Sequence, residues 1–188
     1  NGASSNNTAV GKDALKSNTG GSDLVAIGKG ALFANTTAGS NTVVGANAML
    51  VSTTADTCNA FGTNALMDVT TGGWNTAMGV NAGYNITTGA ENTCIGNSSL
   101  QACTTGTKNV TMGVNSAYKV TTGGSNILLG WRAGFEMTTG GQNVCIGFQT
   151  GNTIVGGSEN TIIGNDSDTY DGASTNQIII GAGLTATD

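Results

Sequence analysis

The sequence predicts an all-β chain, a parallel β-solenoid (β-roll) built from 17-residue coils. Three observations predict it. A glycine recurs at Gly11, Gly28, Gly45, Gly62, Gly79, Gly96, Gly113, Gly130, Gly147, Gly164 and Gly181, and every step between these coil-closing markers is 17 residues. Near copies of one phrase fill the intervals: "VTTGGWNTAMG" at 69–79, "ITTGAENTCIG" at 86–96, "VTTGGSNILLG" at 120–130 and "MTTGGQNVCIG" at 137–147. The two positions before each marker are largely apolar or small, as in a strand covered on both faces. A short fixed period means stacked coils, each resting on the last. No insertion or deletion interrupts it, so each residue is expected above its equivalent one coil away. A coil of this length has room for two strands of about 5 residues and two tight turns.

The elements follow column by column. Directly before the marker stand Val10, Ile27, Val44, Phe61, Met78, Ile95, Met112, Leu129, Ile146, Ile163 and Ile180, apolar in every coil and expected to form the core ladder. One position earlier the residues are mostly small or apolar, from Ala9 and Ala26 to Ile162 and Ile179. Neighbours on a strand point to opposite faces. A thin two-sheet coil buries one of these faces, and the other needs a partner. The simplest partner is another copy of the same chain. An obligate oligomer is therefore expected.

Four residues before most markers stands an asparagine: Asn7, Asn41, Asn75, Asn92, Asn109, Asn126, Asn143 and Asn160. Asparagine tolerates left-handed backbone and bonds its own turn, and stacked copies bond along a ladder. Eight residues after the marker, Thr19, Thr36, Thr53, Thr70, Thr87, Thr104, Thr121 and Thr138 are placed to bond the threonine above. The Gly or Ala pairs that follow are expected to supply positive φ at a corner. Three residues after the marker, Ala14 to Ala133 keep a narrow column for close backbone approach. Seven after it, Val69, Ile86, Cys103, Val120, Met137 and Ile154 are preceded by Asn18, Asn35 and Ser52, so the amino-terminal coils read as differently packed. The regular shaft spans residues 1–164, and 165–188 hold a divergent last coil and the end of the rod.

Composition excludes several classes. Charged residues are 9% of the chain, the net charge is −5, and no basic stripe invites nucleic acid. No apolar run reaches the length of a membrane span. No histidine is present, which removes the usual general base and zinc ligand, and no nucleophile or phosphate-loop motif stands out. The chain is expected not to be an enzyme and to need no cofactor. It opens with Asn and is expected to be a piece of a longer protein.

The phrases "NTAVGKDAL" (7–15), "NTAMGVNAG" (75–83) and "NTCIGNSSL" (92–100) resemble the head repeats of trimeric autotransporter adhesins. They look at least as much like the repetitive shafts of phage and viral tail fibres. The resemblance covers almost the full length through an Asn-x-x-x-Gly-x-x-Ala skeleton. It implies a parallel β-roll, three chains about one axis, and attachment to a surface. In tail fibres such repeats often precede a carboxy-terminal chaperone that trims itself off. The chain departs from the adhesin pattern in its longer repeat, set by the Thr-Thr-Gly-Gly corner.

Cysteine usage separates the relatives. Cys94 and Cys145 share a column three coils apart, about 14 Å by strand spacing and beyond disulfide reach. Cys58 and Cys94 are two coils apart, and Cys103 completes the set. Free buried thiols fit assembly in a reducing cytosol. That favours a virion-surface fibre over an adhesin at a bacterial cell surface.

Candidate binding groups are few. Trp74 lies beside the corner and Trp131 just past a strand end, while Phe33, Tyr84, Tyr118 and Phe135 share a column five after the marker. Trp74, Trp131, Tyr84, Tyr118 and Phe135 are candidates for contact with a host glycan or surface protein, the column being read first as a seam between chains or a lateral stripe. In the last coil Asp166, Asp168 and Asp171 precede Gly172 and loosely resemble a calcium loop, one residue too long and without the closing Glu. A polar cap is the preferred reading there. The expected function is a trimeric rod of a virus or phage fibre involved in host attachment. The alternatives are a bacterial adhesin head and an ice-binding solenoid with a threonine ladder.

Overall fold

The computed structural model describes residues 4–186. It is a parallel β-solenoid. Each coil contributes one three-residue strand: β1 (Thr8–Val10), β2 (Val25–Ile27), β3 (Thr42–Val44), β4 (Asn59–Phe61), β5 (Thr76–Met78), β6 (Thr93–Ile95), β7 (Val110–Met112), β8 (Ile127–Leu129), β9 (Val144–Ile146), β10 (Thr161–Ile163) and β11 (Ile178–Ile180). The strands form one sheet in chain order, all parallel. Thr8 pairs with Val25, Val25 with Thr42, and the same 17-residue register runs through to Thr161 and Ile178. The marker glycines therefore pile one above another, as the period requires.

The coil carries one short strand where two longer ones were expected. The reason is its turns. Three positions per coil are left-handed, for example Asn64 (φ 58°), Leu66 (φ 51°) and Trp74 (φ 56°). Bends this frequent leave no second straight segment. The bent backbone still bonds from coil to coil, as in Leu32 N–H to Ala48 O and Thr70 N–H to Thr87 O.

The core ladder is the main correction. Val10, Ile27, Val44, Phe61, Met78, Ile95, Met112, Leu129, Ile146, Ile163 and Ile180 stand on the outer face of the sheet, and none is buried. The position before them turns inward: Ala26, Val43, Ala60, Ala77, Cys94, Thr111, Leu128, Cys145 and Ile162 are fully enclosed. The pleat puts the two columns on opposite faces, and the chain curls around the earlier one. The core is completed by the narrow column at Ala31, Ala48 and Ala65, by the column at Val69, Ile86 and Ile154, and by a column four after the marker.

That last column was not read from the sequence. It holds Leu32, Met49, Leu66, Gly83, Leu100, Ala117, Gly134 and Gly151, all left-handed. In several coils its size offsets that of the inward strand position six residues earlier, although Ala77 and Gly83 are both small and Val43 and Met49 both large. Ala60 pairs with Leu66, whereas Leu128 pairs with Gly134. A Cβ on Gly134 would stand 2.8 Å from Leu128 Cδ1. Packing at crystal-like density leaves no room for a second large residue beside Leu128.

The polar ladders formed as expected, with two differences. Asn92 Nδ2 donates to Asn75 Oδ1 at 3.1 Å and to Gly106 O at 2.9 Å, and its own Oδ1 accepts from Asn109 N and Nδ2 at 3.0 Å each. The same four bonds repeat through Asn143, so these buried amides are fully satisfied. The left-handed residue, however, is the one before the asparagine, such as Trp74, Glu91 or Lys108. The glycines of Thr-Thr-Gly-Gly have no positive φ. They are small because of crowding: a Cβ on Gly72 or Gly123 would run into the carbonyl oxygen of Gly89 or Gly140.

The amino-terminal coils do pack differently. Leu24 and Cys58 interrupt the asparagine ladder, donating only a backbone N–H to Oδ1 of Asn7 and Asn41. Asn35 and Ser52 are fully enclosed, and Asn35 Oδ1 and Ser52 Oγ have no partner. Later polar core residues are answered locally: the hydroxyls of Ser99 and Thr111 lie 2.8 Å apart.

Candidate binding surfaces

Three surfaces carry chemistry, and each is a set of columns repeated coil by coil. The first is the outer face of the sheet. Val10, Ile27, Phe61, Met78, Met112, Ile163 and Ile180 are exposed along one column. Beside it, two positions earlier in each strand, Thr8, Thr42, Asn59, Thr76 and Thr93, with Val25 the apolar exception, give way to Val110, Ile127, Val144 and Ile178, with Thr161 the polar one. The result is an apolar stripe running the length of the rod and widening toward the carboxy-terminal half. Contiguous exposed apolar surface on this scale marks an interaction site.

The second surface lies beyond the marker glycines and gathers most of the candidate aromatic residues. Tyr118 and Phe135 stack at 5.2 Å between ring centroids. Trp131 stacks on Phe148 at 4.8 Å. The guanidinium of Arg132 lies 4.1 Å from the centre of the Phe135 ring and 5.2 Å from that of Trp131. Lys119 sits over Phe135 at 5.4 Å and pairs with Glu136 at 2.6 Å. Arg132 and Phe148 were missed in the sequence. The signal was present, since Arg132 is the one arginine in the chain and follows a tryptophan. Tyr84, in the same column as Tyr118, stands apart from this group and is half-buried.

The third surface is the threonine corner. The first threonine of each pair uses its hydroxyl on the next coil, as when Thr70 Oγ1 donates to Thr87 O at 3.1 Å. The second, at Thr37, Thr54, Thr71, Thr88, Thr105, Thr122 and Thr139, is exposed in seven successive coils. Trp74 stands nearby, 64% exposed, and lines a shallow depression with Glu91.

The aspartates of the last coil do not form a metal site. Among the described residues no group of His, Cys, Asp or Glu is arranged to hold a metal ion. Asp171 Oδ1 accepts from Ala173 N–H at 2.9 Å and from the Ser174 hydroxyl at 3.0 Å, and these bonds hold its carboxyl below the usual range. Asp168 falls in the column that holds Leu66 and Leu100 in earlier coils. Burial raises its pKa, opposed by the bond from Thr153 N–H at 2.9 Å. Asp166 is exposed.

The four cysteines are all buried and unpaired. Burial pushes the Cys58 and Cys103 thiols up to about 11 and Cys145 up to about 12, and moves Cys94 in the same direction. The thiolate is the form that binds metal and forms disulfides, so burial lowers their reactivity at neutral pH.

Comparison with protein-family models, with curated proteins and with solved structures finds no match for this chain.

Proposed function

We propose that the chain is a shaft segment of a virus or phage tail fibre, three copies wound about one axis, that serves host-surface attachment. The observation that carries this reading is the apolar stripe on the outer sheet face. Its alternate residues are as greasy as a core, yet a single chain leaves them in water at a cost of roughly 25 cal/mol for each Å² of apolar surface. Copies of the same chain offer a stripe with the same repeat and the same length. The number three comes from the resemblance to fibre shafts and adhesin heads. A rod of ten intervals at about 4.8 Å extends about 50 Å, suited to holding a receptor-binding tip away from a particle. Enclosed, unpaired thiols agree with assembly in a reducing compartment, which favours the fibre over the adhesin.

Antibodies raised against the chain test the assignment. They are expected to decorate protruding fibres of the virus particles that encode it, seen by electron microscopy. Label confined to a bacterial envelope would replace the fibre reading with the adhesin one.

A second reading rests on the outer threonine column, whose seven hydroxyl-bearing residues recur at the coil spacing. Such a row is the raw material of an ice-binding face. Against it, the inner threonines of each pair have their hydroxyls committed to the neighbouring coil, leaving a single free row. Thermal hysteresis in a chain solution would support it; none leaves the fibre reading alone.

A further inference from the structure

Arg132 is a cation without a counter-charge. The chain carries 11 acids against 6 bases. Two of the other bases are paired, Lys16 with Asp13 at 3.1 Å and Lys119 with Glu136 at 2.6 Å. Among the described residues Arg132 has no carboxylate within ion-pair distance, and its Nε is shielded from water with no hydrogen-bond partner. Its position is nevertheless fixed. Phe135 and Trp131 hold the guanidinium by cation–π contact at 4.1 and 5.2 Å. The backbone beneath it is left-handed, φ 56°, in a column filled elsewhere by Asn, Ser, Gln, Gly or Asp. A planar fork of donors held by rings, with no acceptor of its own, is shaped for a bidentate oxyanion.

The neighbours define what else the ligand brings. Trp131 and Phe148, one coil apart and stacked, remain 40% and 47% exposed. They lie past the marker glycine, on the flank of the apolar stripe rather than within it. Aromatic surface beside a charged fork suits a molecule that joins an apolar C–H face to a carboxylate. We propose that Arg132, with Trp131 and Phe148, binds a sugar bearing a carboxylate group. This rests on the attachment role proposed above and names the class of surface ligand.

Calorimetric titration of the assembled chain with two acid and neutral pairs tests it: tetragalacturonate against its methyl ester, and sialyllactose against lactose. At least one acidic sugar is expected to bind, its neutral counterpart at least about tenfold more weakly. Binding should weaken as salt rises. Arg132→Gln should lose at least about tenfold in affinity; glutamine already occupies this left-handed column at Gln149 (φ 51°), so the fold has a place for it. Trp131→Ala should weaken binding without changing the preference for acid. The proposal is overturned if neither acid binds, if neutral and acidic forms bind alike, or if Arg132→Gln binds as the parent does. It is also overturned if Arg132→Gln splits the assembly, because the guanidinium would then serve a contact between copies. A null titration with an intact assembly removes the sugar site and leaves the rod reading standing.

Discussion

Gly79 shows what fixes the period at the level of one residue. Its φ is 139°, and a Cβ there would stand 2.6 Å from both the carbonyl carbon and oxygen of Gly96. Every marker from Gly11 to Gly164 has this geometry toward the coil above, so no coil can lengthen or shift without breaking a column. Gly79→Ala is expected to lower stability by roughly 1–3 kcal/mol from the conformation alone, with the clash added to that. A drop in the urea midpoint checks it. Gly20 is the contrast. It has no positive φ, and a Cβ on it would meet only the Thr37 methyl at an ordinary 3.6 Å; Gly20→Ala should leave the midpoint nearly unchanged. The sequence displays both glycines alike. The marker is legible as special because it never varies across eleven coils, whereas the glycines of the corner are read for the wrong reason. Positive φ was the obvious one, and carbonyl crowding proved to be the operative one.

In the coils of Ala60 and Leu128, the inward strand position and the residue six later share one space. Leu128 and Gly134 divide it one way, Ala60 and Leu66 the other. Leu128→Ala alone is expected to cost roughly 2–5 kcal/mol through the cavity it leaves. Gly134→Leu alone should also destabilise, by overpacking. The double variant rebuilds the arrangement of the Ala60 coil, since Leu66 and Gly134 share the left-handed backbone at φ 51° and 62°. It should recover most of the loss, and the midpoints of all four chains measure the coupling. Simple additivity of the two losses would deny the shared space. This column was hidden in the sequence because its residues vary from Met49 to Gly151. Its regularity lies in the left-handed backbone, which side-chain identity does not display. The asparagine ladder, by contrast, was readable at once, because each amide needs an identical partner above it. Which of two adjacent apolar columns faces inward was not readable. Alternation separates the faces, but the direction in which the coil curls chooses between them. Arg132 stayed hidden for another reason. Its environment comes from Phe135 and Trp131, whose closeness to the guanidinium depends on the turn rather than the strand.

At the scale of the whole molecule, the sheet has two faces and only one is covered by its own chain. Met78 and Met112 stand 45% and 47% exposed in the middle of the rod, away from any terminus. Reassigning the core ladder to the outside moves it from the interior of the chain to its surface, where the proposed seam between copies would lie. The inference of self-association survives that correction, because it needed only one greasy face to be left over. The mass of the chain in dilute buffer, by sedimentation equilibrium, tests this most directly. The account predicts a single species of three 18.5 kDa chains that persists on dilution, and its dissociation or aggregation when Met78 and Met112 are both changed to glutamate. A folded single chain of 18.5 kDa, stable with its apolar stripe in water, would contradict it.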